Sequence, residues 1–426
     1  MAGEWRERPL GELVEIFDGP HATPAKTLDG PVFLGISNLS QGRLVMAETE
    51  HLSEDDYARW TRRVEPRAGD VVFSYETRLG EAARIPDGLR CCLGRRMGLL
   101  RARKSRIDAR FFLYAYLGPQ FQDTLRERTI HGSTVDRIPL IDMPQFPITI
   151  PLDIGEQRAI AQILGTLDDK IELNRRMSET LEATARALFK SWFVDFDPVR
   201  AKAEGRDSGL PQPLADLFPA RLVDSELGEI PEGWEVGTLG DVSALNPEVW
   251  SKQTCPHEIN YVDLSNTKWG RIEAVTVYEA ADAPSRAQRV LRPGDTIVGT
   301  VRPGNGSYAF ISEGSLTGST GFAVLRPSTT QHAQFVYLAA TTAENIDALA
   351  HVADGGAYPA VRPEVVAATV VVRPGTDVLG WFSSVAGPLL AKMAHCERES
   401  RTLAALRDTL LPKLISGEVR VGGSKP

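Results

Sequence analysis

Four cysteines and seven histidines among 426 residues leave few nucleophiles or soft metal ligands. Cys91 and Cys92 are adjacent, Cys255 and Cys396 stand alone, and no Cys-x-x-Cys occurs, so neither a disulfide framework nor a zinc site is indicated. No window approaches the roughly 18 uninterrupted apolar residues of a membrane helix. The opening MAGEWRERPL has no apolar h-region, which points to a cytoplasmic protein. Catalytic signatures are missing too: there is no G-x-x-x-x-G-K-[ST], no H-E-x-x-H, no G-x-S-x-G and no N-P-P-[YF]. The stretch GNGSYAFISEGS is glycine-rich but lacks the lysine and the strand-to-helix placement of a phosphate loop. Asp168 and Asp169 resemble a metal pair, yet both fall on a helical pattern whose solvated face accounts for them. The expectation is a chain that catalyses nothing and carries no metal or cofactor of its own.

An excess of cations is also lacking. The net charge of −8 argues weakly against nucleic acid, but local patches decide whether phosphate binds. The acidity is uneven: residues 201–233 hold 3 basic against 7 acidic side chains, whereas residues 1–150 balance 21 against 21. Within that neutral stretch Arg90 to Arg110 gathers eight cations against Asp108 alone, either a phosphate-binding patch or a solvated face.

What is present is a repeat. EWRERPLGEL at Glu4 returns as GWEVGTLGDV at Gly233, pairing Trp5 with Trp234. FLGISNLSQGRL from Phe33 returns as YVDLSNTKWGRI from Tyr261, RAGDVVFSYETRLGEAA from Arg67 as RPGDTIVGTVRPGNGSYA from Arg292, and HGSTVDRIP from His131 as GGAYPAVRP from Gly355. The offsets fall steadily through 229, 228, 225 and 224, as small loop deletions in the second copy require. Internal repetition of this kind defines the whole architecture.

The repeat continues into two helical segments. Ile160, Leu164, Leu167, Ile171, Asn174, Ser178, Leu181, Ala185, Leu188 and Trp192 follow the alternating spacing of a heptad seam. At offset 222 their counterparts are Phe382, Ala386, Leu389, Met393, Cys396, Ser400, Leu403, Arg407, Leu410 and Leu414. Gly165, Gly387 and Pro388 are read as softening the entries, and Asn174 as a register device. Each helix of about 30 to 36 residues spans roughly 50 Å. One such stripe alone would face water, so two of them, one after each globular half, are expected to pair antiparallel; the alternative is that each packs on its own half.

The globular halves mix short β-rich runs such as DVVFSY and TIVGTV with one helical segment each, DARFFLYAYLGPQFQDTLRER and HAQFVYLAATTAENIDALAH. The fold class is therefore α+β: two domains joined by two long antiparallel helices in a coiled coil, with an internal pseudo-two-fold repeat. The expected boundaries are 1–152 and 234–375 for the recognition domains, 153–200 and 376–426 for the helical regions, and 201–233 for a linker. A duplicated protein holding two units a fixed distance apart suits duplex DNA, whose turn is about 34 to 36 Å. The loops of the two copies differ, so the target is expected to be bipartite and asymmetric.

GEQRAIAQILGTLDDKIELNRRMSETLEATARALFKSWFVDFDPVRAK resembles the central conserved region of type I restriction-modification specificity subunits, and TLAALRDTLLPKLISGEVRV resembles their C-terminal conserved region. WEVGTLGDV and RPGD are similar to elements of their target recognition domains. The second helix departs from the first where Ala394 and Cys396 replace Glu172 and Asn174. The resemblance implies a subunit that selects the DNA sequence for two methyltransferase subunits, which bind S-adenosylmethionine and methylate adenine. A motor and nuclease subunit using ATP and magnesium would complete a restriction complex. By the same resemblance, partners dock on the helices around Arg175, Arg176, Phe189, Trp192 and Phe193, with Trp192 equally placed to be coil core.

Candidate DNA contacts are the paired Arg78 and Arg302, each after a β-run, from where a guanidinium reaches a phosphate or a guanine edge. Arg78 has the alternative of capping its turn or pairing with Glu76. Asn305, Ser307 and Tyr308, and Ser133 and Thr134 opposite Ala357 and Tyr358, are further loop candidates. Arg95, Arg96, Arg101, Arg103 and Lys104 are candidates for phosphate, provided that their run does not alternate inward as a strand. Two other classes stay open: a coiled-coil scaffold whose ends bind proteins, and an enzyme with an unfamiliar site.

Overall fold

A computed structural model describes residues 4–20, 23–46, 49–132, 135–251, 253–353, 356 and 359–421. The chain forms two units, one of Met1–Leu173 with Glu399–Pro426 and one of Asn174–Arg398.

In the first unit Val71–Ser74, buried at every position, sits inside a four-stranded antiparallel sheet in the order Val14–Asp18, Met97–Ala102, Val71–Ser74, Ala82–Arg84. A second sheet pairs Lys26–Leu34 antiparallel with Glu50–Leu52 and parallel with Cys91–Leu93. Phe73, Phe111, Phe112, Tyr116 and Phe121 form the core with Ile160, Leu164 and Leu414 from the long helices. In the second unit the sheet order is Ser243–Leu245, Phe322–Pro327, Thr296–Gly299, Tyr308–Phe310, the same arrangement at the repeat offset. Its second sheet again joins a parallel pair, Glu258–Val262 with Leu316–Ser319. The α+β class and the internal repeat are thus present in the strand pairing itself.

The long helices are Ile154–Phe193 and Thr376–Ile415, 40 residues each and longer than the heptad spacing predicts. Their antiparallel sense is visible within each unit. In the first, Lys170 Nζ lies 3.1 Å from Glu399 and Arg407 Nη1 lies 2.9 Å from Asp168. In the second, the Asn174 amide donates to the Cys396 carbonyl at 3.4 Å and the Phe189 and Phe382 rings are 6.3 Å apart. Asn174 and Cys396 are repeat equivalents, so the seam meets its own counterpart at this point. The expected seam is buried or half-buried throughout, with the next residue the more buried at two steps: Leu390, at 3%, beside the half-buried Leu389, and Phe189, at 6%, beside the half-buried Leu188.

Gly165, Gly387 and Pro388 lie inside the helices instead of at their entries. Gly165 has a packing reason: a Cβ there would lie 2.2 Å from the Arg110 guanidinium carbon. Arg110 Nη2 instead donates to the Gly165 carbonyl at 2.8 Å and to Asp169 at 2.6 Å. At the equivalent place in the second unit, the Gln334 amide leans on Gly387. Next to Arg110 in the first unit, Asp168 accepts from Arg43 at 2.7 Å, Arg407 at 2.9 Å and Tyr114 at 2.7 Å. Burial pushes the Asp168 carboxyl up, but these hydrogen bonds outweigh it and hold it below the usual carboxylate range.

Phe189, Trp192 and Phe193, read above as surface for a partner, are core: all three are at most 6% exposed. The helix seam places them against Phe218, Trp234, Phe335 and Phe382, with centroids 4.9 Å (Phe193–Phe382) to 6.3 Å (Phe189–Phe382) apart. Residues 201–233 carry structure of their own, a helix at Gln212–Ala215 and a hairpin of Leu222–Ser225 with Gly228–Pro231, and Leu214, Phe218 and Ile230 join that core. No helix among the described residues is long and apolar enough to cross a membrane.

Two stability predictions result. Trp192→Ala will destabilise the second unit by about 3–5 kcal/mol in chemical denaturation, as a truncated core aromatic does; a loss below about 1 kcal/mol would return Trp192 to the surface. Asp168 has a folded pKa below the unfolded value of about 3.8, so its contribution is full above that value and is lost as pH falls through the folded one. Asp168→Asn will therefore lower the stability of the first unit at neutral pH and flatten its decline below about pH 4, read from denaturation curves across pH.

Candidate nucleic-acid interface

Each unit builds its loops on the same buried ion pair. In the first, the Arg67-Ala68-Gly69-Asp70 turn is closed by the Arg67 N–H donating to Asp70 at 2.9 Å. Arg101 then grips the same carboxylate through Nε at 2.9 Å and Nη2 at 2.7 Å. In the second unit the Arg292 N–H donates to Asp295 at 2.8 Å, and Arg326 binds it through Nε and Nη2, both at 2.9 Å. The acids are sealed, with side chains 5% and 1% exposed. Arg326 also reaches Glu248 at 2.9 Å; hydrogen bonds from Arg292 and then from Arg326 hold the Glu248 carboxyl down to about 2.

The strand that follows each turn, Val71–Ser74 or Thr296–Gly299, delivers the loop carrying Arg78 or Arg302. The Arg78 guanidinium donates to Glu81 at 3.3 Å, not to the Glu76 carboxylate of the sequence alternative, although the Arg78 N–H donates to the Glu76 carbonyl at 2.9 Å; the side chain is 40% exposed. Arg302 is exposed, with left-handed backbone at φ 48° and its N–H donating to Pro359 O at 2.7 Å. Asn305 is exposed beside it. Ser307 and Tyr308 face inward instead: the Ser307 hydroxyl donates to Leu264 O at 3.1 Å, and Tyr308 is 6% exposed with its hydroxyl 3.4 Å from Arg186. They support the loop from beneath because both lie where it rejoins its sheet. Ser133, Thr134 and Tyr358 lie outside the described residues.

The basic run is mostly committed to structure, because Met97–Ala102 is a strand with alternating faces. Arg101 belongs to Asp70, Arg96 pairs with Glu76 at 2.8 Å, and Arg103 pairs with Glu15 at 3.2 Å. Arg95 and Lys104 remain exposed. Arg175 and Arg176 lie on the exposed face of the first long helix, Arg175 with Glu179 at 2.5 Å.

Sequence reasoning missed the turn that flanks each loop. Gln41 and Trp269 occupy the same repeat position, both with φ 48° and both exposed, Trp269 to 55%. Trp269 N–H donates to Gly306 O at 2.7 Å and its ring lies over that glycine, where a Cβ would sit 2.6 Å from the indole. Gln41 N–H donates to Glu81, the residue that also receives Arg78. The available signal was a recurring backbone frame, NLSQGR against NTKWGR, in which one exposed side chain changes. Among the described residues no cluster of three or more His, Cys, Asp or Glu side chains is placed to hold a metal ion.

The chain thus consists of duplicated α+β units, each built around one half of an antiparallel helix pair and each presenting loops that differ between copies. Residues 2–183 match the type I restriction modification DNA specificity domain. The chain is 26% identical over 335 residues to the type I restriction enzyme HindI specificity subunit of Haemophilus influenzae, covering 68% of this chain and 72% of that one. It is 23% identical over 310 residues to the MjaIX specificity subunit of Methanocaldococcus jannaschii, covering 68% and 64%. The crystal structure of the type I restriction-modification S subunit from M. genitalium superposes with a TM-score of 0.58 at 15% identity, over 97% of this chain and 96% of that one. The chain is thus similar to the specificity subunits of type I restriction-modification systems, and its residues 2–183 match their DNA specificity domain.

The buried pairs carry their own test. Asp70→Asn and Asp295→Asn each leave a partly buried arginine without its anion, and each will cost about 3 kcal/mol in the unit concerned. Calorimetry of the two variants should show the loss; an unchanged melting profile would mean that the turns do not depend on the pair.

Proposed function

We propose that the chain reads a bipartite, asymmetric DNA target and directs adenine methylation by two modification subunits, with cleavage where a motor and nuclease subunit joins them. The chain is non-catalytic and cytoplasmic in this reading. S-adenosylmethionine, ATP and magnesium belong to the partners, which dock on the exposed face of the long helices around Arg175 and Arg176. Phe189, Trp192 and Phe193 contribute to that docking only by holding the helix in place.

The observation that carries the reading is the pairing of a constant frame with variable tips. The Asp70–Arg101 and Asp295–Arg326 pairs recur, while the exposed tip changes from Gln41 to Trp269 and the adjoining loop from Leu79-Gly80-Glu81 to Pro303-Gly304-Asn305. Gln41 with Arg78, and Trp269 with Arg302 and Asn305, are the proposed reading groups of the two halves, while Arg95 and Lys104 contact phosphate.

Single-molecule sequencing of a host that expresses the chain with its modification subunit should show a split asymmetric adenine-methylation motif that is absent without the chain. An assembled complex that leaves no new motif would sink the proposal. Arg78→Ala and Arg302→Ala should each weaken binding to the discovered target by about 1–3 kcal/mol in fluorescence anisotropy; unchanged affinity across several salt concentrations removes that residue from the reading set.

A further inference from the structure

The first unit holds a cluster of cations that the sequence reading passed over. The helix Glu54–Trp60 begins with Glu54, Asp55 and Asp56 and ends with Arg59 and Trp60, and Arg62 and Arg63 follow within three residues. Arg59, Trp60, Arg62 and Arg63 line a cleft of about 480 Å³, whose opposite wall is Asp18, Gly19, Pro20 and Leu93. The three arginines are exposed, and the Arg59 guanidinium stacks on the Trp60 ring at 4.9 Å.

These arginines differ from Arg90, Arg96, Arg101, Arg103 and Arg110 of the basic run in having no carboxylate partner among the described residues. Three of the neighbouring acids are engaged elsewhere. Glu54 is held by two hydrogen bonds from Arg90, at 2.9 and 2.8 Å, Glu65 accepts from the Tyr57 hydroxyl at 2.9 Å, and Asp18 accepts from the Tyr75 hydroxyl at 3.0 Å. The Trp60 indole N–H, itself buried, has no acceptor among the described residues. Three guanidiniums within five residues, none paired with a carboxylate among the described residues, thus line the cleft.

The cluster also has no counterpart in the second unit. The repeat offset drops from 228 at Arg43 to 225 at Asp70, so the first copy has three more residues in the interval that contains this helix. The second copy runs through Thr276–Glu279 and Ala287–Leu291 there, and its cations are Arg286, which lies 3.6 Å from Asp263, and the half-buried Arg289.

We infer that the Arg59-Trp60-Arg62-Arg63 cleft binds phosphodiester groups of duplex DNA and gives the first unit a sequence-independent grip that the second lacks. Guanidiniums suit this task because they bind phosphate oxygens in a fork and need not be stripped from a structural partner first. This inference rests on the DNA-reading function proposed above.

The test is fluorescence anisotropy of the full chain with a 30-base-pair duplex of scrambled sequence between about 50 and 200 mM salt. Each neutralised phosphate contact contributes about 0.9 to the slope of log affinity against log salt. Arg59→Ala/Arg62→Ala/Arg63→Ala should lower the slope by about two to three and weaken binding on the order of 100-fold at 100 mM salt. Arg59→Lys/Arg62→Lys/Arg63→Lys, which keeps the charge, should retain most of the slope. Equal melting temperatures for the variants and the parent keep a folding defect from imitating the result. An unchanged slope in the alanine variant overturns the inference while leaving the proposed function intact. Saturable binding of ATP or pyrophosphate that the alanine variant abolishes, with its DNA slope unchanged, also overturns it and assigns the cleft to a free phosphate ester. A parent chain with no salt-dependent DNA affinity overturns both.

Discussion

A 40-residue amphipathic helix cannot leave its apolar stripe in water, and everything else in this chain is arranged around that constraint. Each unit solves it by taking one half of each long helix into its core. Ile160 and Leu164 meet Leu414 and Ile415 in the first unit, and Phe189 and Trp192 meet Phe382 in the second. The cost of the solution is geometric, since a recognition domain has to lie flat against a helix. Glycine supplies the clearance in the first unit, where Gly165 admits the Arg110 guanidinium; at the equivalent Gly387 the Gln334 amide lies at a distance that a Cβ would meet in ordinary contact. The contact between Asn174 and Cys396, two residues that are repeat equivalents, shows the same economy. One seam, duplicated, is complementary to itself when reversed.

The next layer is electrostatic, and it separates cations that hold the fold from cations left for a ligand. Arg101 and Arg326 are consumed by Asp70 and Asp295. Asp168 consumes Arg43 and Arg407 together. A buried carboxylate of this sort contributes little unless its hydrogen-bonding capacity is filled, and here each is filled by at least three donors. The return is positional accuracy: the strands that leave the Asp70 and Asp295 turns carry the loops that differ between the copies.

The architecture was legible in the sequence because its signals are local or periodic. Gly42 and Gly270, Gly69 and Gly294 all have positive φ, a backbone demand that a repeat must preserve, so the duplicated motifs stood out. The heptad spacing of the long helices follows from side-chain geometry alone. The interface was less legible because charge pairing is long-range. Nothing near Arg101 in sequence says that Asp70 will take it, and nothing near Phe193 says that Phe335 and Phe382 will surround it. Ser307 and Tyr308 look like loop residues in a Gly-rich stretch, yet the return of the chain into Tyr308–Phe310 turns them inward. Arg59, Arg62 and Arg63 were passed over for the opposite reason: they sit among acids and give no net basic signal until Glu54 and Glu65 are seen to be occupied.

A constant frame with changing tips has a consequence for how such a protein diverges. The Asp–Arg pair that sets the strand beneath each loop is hydrogen-bonded to neither Gln41 nor Trp269. A change at either tip therefore leaves that pair intact, since exposed substitutions away from buried networks shift stability by only about 0.5 kcal/mol. Two tips on two frames in one chain can then vary independently, which a single frame shared by two identical subunits could not do, because any change would appear in both half-sites at once. Duplication within the chain is what allows the two tips to differ.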